Sequence, residues 1–272
     1  MNTIEPVSSA LACDTHMHFY GSGYRTAPAA VLRPPDATVD AYRELQAEIA
    51  TERVVVVQPT TYGLDNNCQL DAMAVLGDSA RGVMVVGAET GAAELTRLTE
   101  LGVRGARFHM LLGGAVSWDE LEVVAASVAP YGWHIQLQLN GRELVSRLDQ
   151  LRRLPVGLVV DHIGRFMAPV APDSAEFAAL LALVDDGAHV KLSAPYESSV
   201  SGPPDYADTV PLVDALVAHA PDRLLWASNW PHPGCDDPPS PADLIRLRER
   251  WLPTAELQSC VLVDNPTRLY EF

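Results

Sequence analysis

The chain is predicted to fold as a TIM (β/α)8 barrel, an α/β architecture in which residues 1–272 form one domain. Three observations carry that expectation. Short β-branched runs alternate with longer amphipathic stretches from one end of the sequence to the other, which is the pattern of βα units closing on a parallel sheet. The length, 272 residues, is what a single α/β barrel holds. Polar side chains gather at the C-terminal ends of the predicted strands, where barrels keep their chemistry.

In order, the strands are LACDTHMH from Leu11, RVVVVQPT from Arg53, RGVMVVGAE from Arg81 and VRGARFHM from Val103. WHIQLQLN from Trp133, VGLVVDHIG from Val156, AHVKLSA from Ala188 and RLLWASNW from Arg223 complete the set of eight. Helical patterns separate them, among them Val39 to Ala50, Asp119 to Ala129 and Arg142 to Arg152. The Pro- and Gly-rich pieces Ala27 to Pro35, Ser201 to Asp205 and Pro231 to Pro239 follow strands one, seven and eight and read as loops over the barrel mouth.

Composition narrows the function. Apolar residues make up 48% and charged residues 20%, so the chain is globular rather than disordered. With 19 basic against 35 acidic residues the net charge is -16, which repels phosphate backbones and anionic lipid alike and argues against nucleic-acid and membrane partners. An anionic small substrate therefore needs a local cation. Cys13, Cys68, Cys235 and Cys260 form no CxxC pair, as expected of reduced thiols. The opening MNTIEPVSSA carries no leader pattern and no apolar run reaches a membrane span, so a cytoplasmic location is expected.

Side chains alternate across a strand, so every second residue near the top of a barrel strand faces the interior. Asp14, His16 and His18 share a face on strand one, and Arg107 and His109 on strand four, with Arg104 turned to the helices. Gln136 and Gln138 on strand five, His162 above strand six, Lys191 and Ser193 on strand seven and Asn229 after strand eight complete the set. His-x-His at a strand end sets two bases side by side, as acid–base and metal sites require. His109 is equally readable as a hydrogen-bonded structural residue. His134, His189 and His219 lie at strand starts or a helix end and read as structural. Lys191 reads as a buried cation paired with Glu89 or Asp14, outside the chemistry. Arg107, inward and desolvated, calls for Glu89 or a ligand carboxylate.

The motifs DTHMH, QPTTYGLDN, RGARFH, DHIGR, SNWPHP and NPTRLYEF together resemble the amidohydrolase superfamily, in the branch of 2-pyrone-4,6-dicarboxylate lactonase and galactarolactone isomerase. The likeness runs from Asp14 to the C-terminus. It implies a metal-free site for a carboxylated lactone in which His16, His18 and His162 polarise the carbonyl and Arg107 holds the carboxylate. Thr60, Tyr62 and Gln138 would line the pocket, with His109, Tyr196 in KLSAPYE and His232 in SNWPHP as further substrate contacts.

Two positions depart from that pattern. Where the lactonase carries an aspartate that activates water, this chain has Asn229; where another arginine is expected it has Glu197. A carboxamide cannot take a proton from water, so the reading is a lactone isomerase, in which the substrate's own hydroxyl attacks, over a hydrolase. No cofactor is expected. The alternatives are a lactone hydrolase, a zinc-dependent hydrolase or decarboxylase using His16, His18 and His162, and an inactive ligand-binding homologue. Strand five has no lysine to bridge two metals and strand eight no acid, which weighs against zinc.

Overall fold

The computed structural model describes residues 11–272; the opening MNTIEPVSSA, on which the absence of a leader was argued, lies outside the described residues. Eight strands form one parallel sheet in chain order: β1 Cys13–Met17, β2 Arg53–Val57, β3 Ala80–Met84, β4 Val103–His109, β5 His134–Gln138, β6 Leu158–Val160, β7 His189–Leu192 and β8 Leu224–Trp226. Backbone hydrogen bonds across the seam, Asn229 N–H to His16 O at 2.9 Å and His18 N–H to Trp230 O at 2.8 Å, join the last strand's extension to the first. This is the predicted TIM barrel.

Around it stand α1 Val39–Ile49, α2 Asn67–Leu76, α3 Ala92–Glu100, α4 Leu121–Val128, α5 Leu144–Arg152, α6 Ala175–Asp185, α7 Val210–His219 and α8 Pro241–Trp251. Their starts follow the chemistry of exposed N–H groups. Thr38 caps α1, Ser174 caps α6, and Ser240 with Asp243 forms a capping box on α8 with Pro241 in the first turn. α1 stops one residue before the predicted Ala50, which instead takes a left-handed φ of 54° and turns its N–H back to Gln46 O. Among the described residues no helix is long and apolar enough to cross a membrane.

Two apolar layers hold the barrel. The larger lies between sheet and helices; the smaller fills the barrel with Cys13, Val55, Val57, Val83, Val159 and Leu225 over Tyr270. The closing residues cap the N-terminal end: Arg53 and Arg81 sit 5.1 and 4.8 Å from the Phe272 ring, and Arg104 pairs with Glu271.

The strands are shorter than predicted, because the polar tops of the runs leave the sheet to build turns. Two facing assignments change with that. Asp14 does not share a face with His16 and His18: register slips between Asp14 and Met17, and Asp14 accepts hydrogen bonds from Tyr42 of α1 at 3.0 Å and from Ser228 Oγ and N at 2.5 and 2.9 Å. Glu89 is exposed, so it neutralises neither Lys191 nor Arg107.

Candidate active site

Above the apolar layer of the barrel, the strand ends and the turns that follow them build a polar cavity of about 50 Å³. His18, Arg107, Gln138, His162 and Asn229 line it, with Thr60 and Tyr20 at the side and Leu32, Glu197 and Pro233 from the loops above.

His162 and Asn229 reach the cavity through backbone that extended strand does not supply. Val160 ends β6, after which His162, Ile163 and Arg165 all adopt left-handed φ values of 54°, 58° and 44°. Asn229 sits at φ 61°. Non-glycine residues held in this region store strain that surrounding contacts must outweigh, a pattern concentrated at functional sites. At Asn229 the retaining contacts include its own N–H on His16 O, and His232 N–H on Asn229 O at 2.8 Å.

The hydrogen bonds fix where the ring protons sit. His18 Nδ1 lies 2.7 Å from the Val57 carbonyl, which can only accept, so His18 carries its hydrogen on Nδ1 and a lone pair on Nε2. His16 Nε2, 3.3 Å away, must then be the donor in that pair. His16 itself is fully buried one layer beneath the cavity wall, its ring centre 4.9 Å from those of both His18 and His162. His162 Nδ1 is 2.8 Å from Ser193 Oγ. Burial is the first cause that holds all three imidazoles below their usual range: His18 falls to about 3, and His16 and His162 fall well below. The three are therefore neutral at pH 7.

Arg107 is buried, and its fork is answered only by neutral oxygens: the Gln58 carbonyl at 2.5 Å and Gln138 Oε1 at 2.6 Å. Its Nε has no partner, and among the described residues no carboxylate lies within ion-pair distance. The other charges are internally matched. Glu197 is bound by Arg165 Nε and Nη2 at 2.8 and 2.7 Å. Lys191 stands 3.9 Å from Asp161, which replaces Glu89 and Asp14 as its acid. The cavity thus keeps one uncompensated cation in a strongly acidic protein.

Asn229 is oriented from behind. Its Nδ2 donates to Tyr196 Oη at 2.8 Å, and the Tyr196 hydroxyl in turn meets His232 Nδ1 at 3.0 Å. Asn229 lines the cavity, and its Oδ1 is buried and has no partner. Tyr196 and His232 accordingly stand behind Asn229 rather than at the cavity surface. His109 also lies behind, with Nδ1 3.2 Å from the same Gln138 oxygen that Arg107 uses. Tyr62 is spent elsewhere: its hydroxyl is bonded to both the N–H and the carbonyl of Gly21, fixing the loop after β1.

Asp161 was missed, although the count was available: Val159 faces the barrel interior, and two residues on lies Asp161. His16, Asp161 and His162 place three ligand atoms within 4.8 Å of one another, the one such group among the described residues. His18 is not in it. The set does not fit a divalent ion, because the Lys191 ammonium lies 3.5 Å from His16 Nδ1 and 3.9 Å from Asp161 Oδ1 and claims the same space. The strand-eight position adds only a neutral amide.

A closed parallel barrel whose C-terminal mouth gathers neutral imidazoles, an unpaired arginine and a carboxamide defines a TIM-barrel enzyme. The sequence profile of the family described as Amidohydrolase matches residues 13–272. The chain belongs to the amidohydrolase family. It is 38% identical to a 2-pyrone-4,6-dicarboxylate hydrolase of Comamonas testosteroni, over 95% of this chain and 90% of that protein. It is 35% identical to a D-galactarolactone isomerase of Agrobacterium fabrum, over 96% and 91%. An apo crystal structure from Agrobacterium tumefaciens superposes with a TM-score of 0.92 at 34% identity, covering 100% of this chain and 98% of that one.

Proposed function

We propose that this protein isomerises a carboxylated sugar-acid lactone without a metal ion, by intramolecular acyl transfer. The observation that carries the reading is Asn229, a residue unable to act as a base, which has an unpartnered Oδ1 and lines a cavity together with an Arg107 that has no acidic partner. Both a hydrolase and an isomerase stand among the relatives, so identity alone does not choose between them.

In this mechanism Arg107 binds the substrate carboxylate. Ser193 Oγ–H donates to His162 Nδ1, leaving His162 Nε2–H to polarise the lactone carbonyl. A neutral imidazole stabilises the oxyanion without giving up its proton, which suits an intermediate that must collapse again. His18, which lines the cavity, turns its Nε2 lone pair from His16 to the substrate and takes the proton of the attacking hydroxyl, while Asn229 Oδ1 orients the sugar by accepting a hydrogen bond from a neighbouring hydroxyl. A new ester C–O bond forms, the old ring C–O bond breaks, and His18 returns the proton to the leaving alkoxide. The attacking hydroxyl is held within the substrate, so its effective concentration far exceeds that of an unactivated water.

The test is turnover of sugar-acid and pyrone lactones in heavy-oxygen water with and without chelator. A changed lactone free of label, at a rate indifferent to chelation, is the expected result. Labelled hydroxy acid from the wild-type protein, or activity abolished by chelation and restored by zinc, overturns the reading. Asn229→Asp keeps the shape and adds an ionised acceptor, so labelled hydrolysis product should rise roughly a hundred- to ten-thousand-fold above the wild-type background.

A further inference from the structure

Beneath the imidazoles lies a buried polar cluster that the mechanism above does not use. Lys191 Nζ donates to Gln136 Oε1 at 2.6 Å and to the Thr15 carbonyl at 2.7 Å, and its third hydrogen faces His16 Nδ1 at 3.5 Å. Gln136 Nε2 has two hydrogens and two acceptors: His16 Nδ1 at 3.3 Å and Asp161 Oδ2 at 3.2 Å. All four side chains are fully buried.

The arrangement contains one repulsive contact. Asp161 Oδ1 has no hydrogen-bond partner and lies 3.3 Å from His16 Nδ1. Because His18 obliges His16 to carry its hydrogen on Nε2, the Nδ1 that meets this carboxylate is a lone pair. Two negative lobes at that distance in a dry interior are unfavourable by themselves. The obvious relief is a proton on His16 Nδ1, giving an imidazolium–carboxylate pair. The Lys191 ammonium removes the need for that proton by supplying positive charge to Asp161 and a donor to His16.

We propose that Lys191 is a positioning residue that, with Gln136 and Asp161, keeps His16 neutral with its single hydrogen on Nε2. The role matters because an imidazolium at His16 is acidic enough to protonate His18 Nε2 and remove the lone pair that the reaction draws on. The groups that bear on His16 are Lys191, Asp161, His18 and His162 in contact, the Asp14 carboxylate bonded to its N–H, and Arg107 and His109 further out. Burial, followed by the Lys191 charge, disfavours a cationic His16, in agreement with the geometry.

The catalytic part of this inference rests on the isomerase reading; the protonation state of His16 does not. Nitrogen-15 NMR of histidine-labelled protein at pH 7 should show His16 neutral with hydrogen on Nε2 in the wild type and in Lys191→Arg. In Lys191→Met it should show a protonated Nδ1, and kcat should fall roughly tenfold to a hundredfold, recovering as pH rises, with KM little changed. The double variant Lys191→Met with Asp161→Asn removes both charges and should restore the neutral ring and most of kcat. This variant also answers the case in which Lys191→Met alone fails to fold. Unchanged His16 signals in Lys191→Met, or a kcat loss that is pH-independent and not relieved by Asp161→Asn, overturns the proposal. Failure of the wild type to turn over any lactone strikes the isomerase reading and leaves the NMR result standing.

Discussion

At the mouth of the barrel His18 points Nδ1 at a carbonyl 2.7 Å away and is held near pKa 3 by burial. At the opposite end His134, also pushed to about 3 by burial, lies against the Tyr270 ring at 5.4 Å with neither ring nitrogen in a well-formed hydrogen bond. Its neighbour Gly105 is a glycine for want of room: a Cβ there would stand 2.7 Å from His134 Nε2. Both rings are buried and neutral, and both lose basicity for the same reason. Depressed basicity is therefore no mark of catalysis in this protein. What separates the two ends is that mouth imidazoles have one nitrogen assigned by a partner, which leaves the state of the other determined and usable.

The sharpest way to break that distinction is to truncate one ring at each end. His162→Ala removes the proposed oxyanion donor while keeping a Cβ on the same left-handed backbone, and kcat for lactone turnover should fall roughly a hundred- to a thousandfold. His134→Leu replaces an unpartnered polar ring by an apolar one, which costs little or stabilises, and kcat should stay within about threefold of wild type. Equal losses from the two variants would show that the mouth and floor histidines are not functionally different.

Arginines allow the same comparison at smaller amplitude. At the floor Arg53 and Arg81 stack on Phe272, and Arg104 meets Glu271, so each has a partner within the chain. At the mouth Arg107 has none of opposite charge. Arg107→Met should lower kcat/KM for carboxylated lactones by about 2 to 3 kcal/mol, or roughly thirty- to a hundredfold and more, through loss of a charge-assisted contact. Uncharged ester analogues should be affected far less. Arg81→Met should change thermal stability and leave kcat/KM near wild type; an equal fall for charged and uncharged substrates in Arg107→Met would make Arg107 structural.

Much of this contrast was legible in the sequence, and the limits are physical. Alternation along β4 and β5 correctly brought Arg107, Gln136 and Gln138 inside, because those strands run regularly and pair Arg107 with Gln136 and His109 with Gln138. Alternation failed at Asp14, where β1 slips register before Met17, and could not foresee how His162 and Asn229 turn inward, since both lie beyond the sheet on left-handed backbone. The partner of Lys191 was misassigned for a different reason. Glu89 lies beyond the end of β3 at Met84, where period-two counting no longer says which way a side chain points, whereas Asp161 follows Val160 directly. That Tyr196 and His232 form a hydrogen-bonded chain behind Asn229 depends on loop packing after β7 and β8, for which the sequence carries no periodicity.

The remaining prediction concerns what the two ends share. A histidine whose folded pKa lies below its unfolded value binds its proton only on unfolding, so between the two values the unfolded state holds more protons and stability rises with pH. For His18 and His134 that window runs from about 3 up to the ordinary 6.5. Stability contributed by keeping either ring neutral is complete above 6.5 and is lost as pH falls through the window, at up to ~1.4 kcal/mol per pH unit for each ring. Urea unfolding at pH 5, 5.5 and 6 should therefore give a shallower slope of stability against pH in His134→Leu than in wild type, by about one proton's worth. His18→Leu should flatten the slope by a similar amount while also abolishing turnover. The pair would dissociate the two properties: acid lability belongs to burial and is common to both ends, whereas catalysis belongs to the hydrogen-bonded ends of the mouth rings. An unchanged slope in His134→Leu would mean that the floor ring already takes up its proton in the folded state, and that the similarity of the two environments is false.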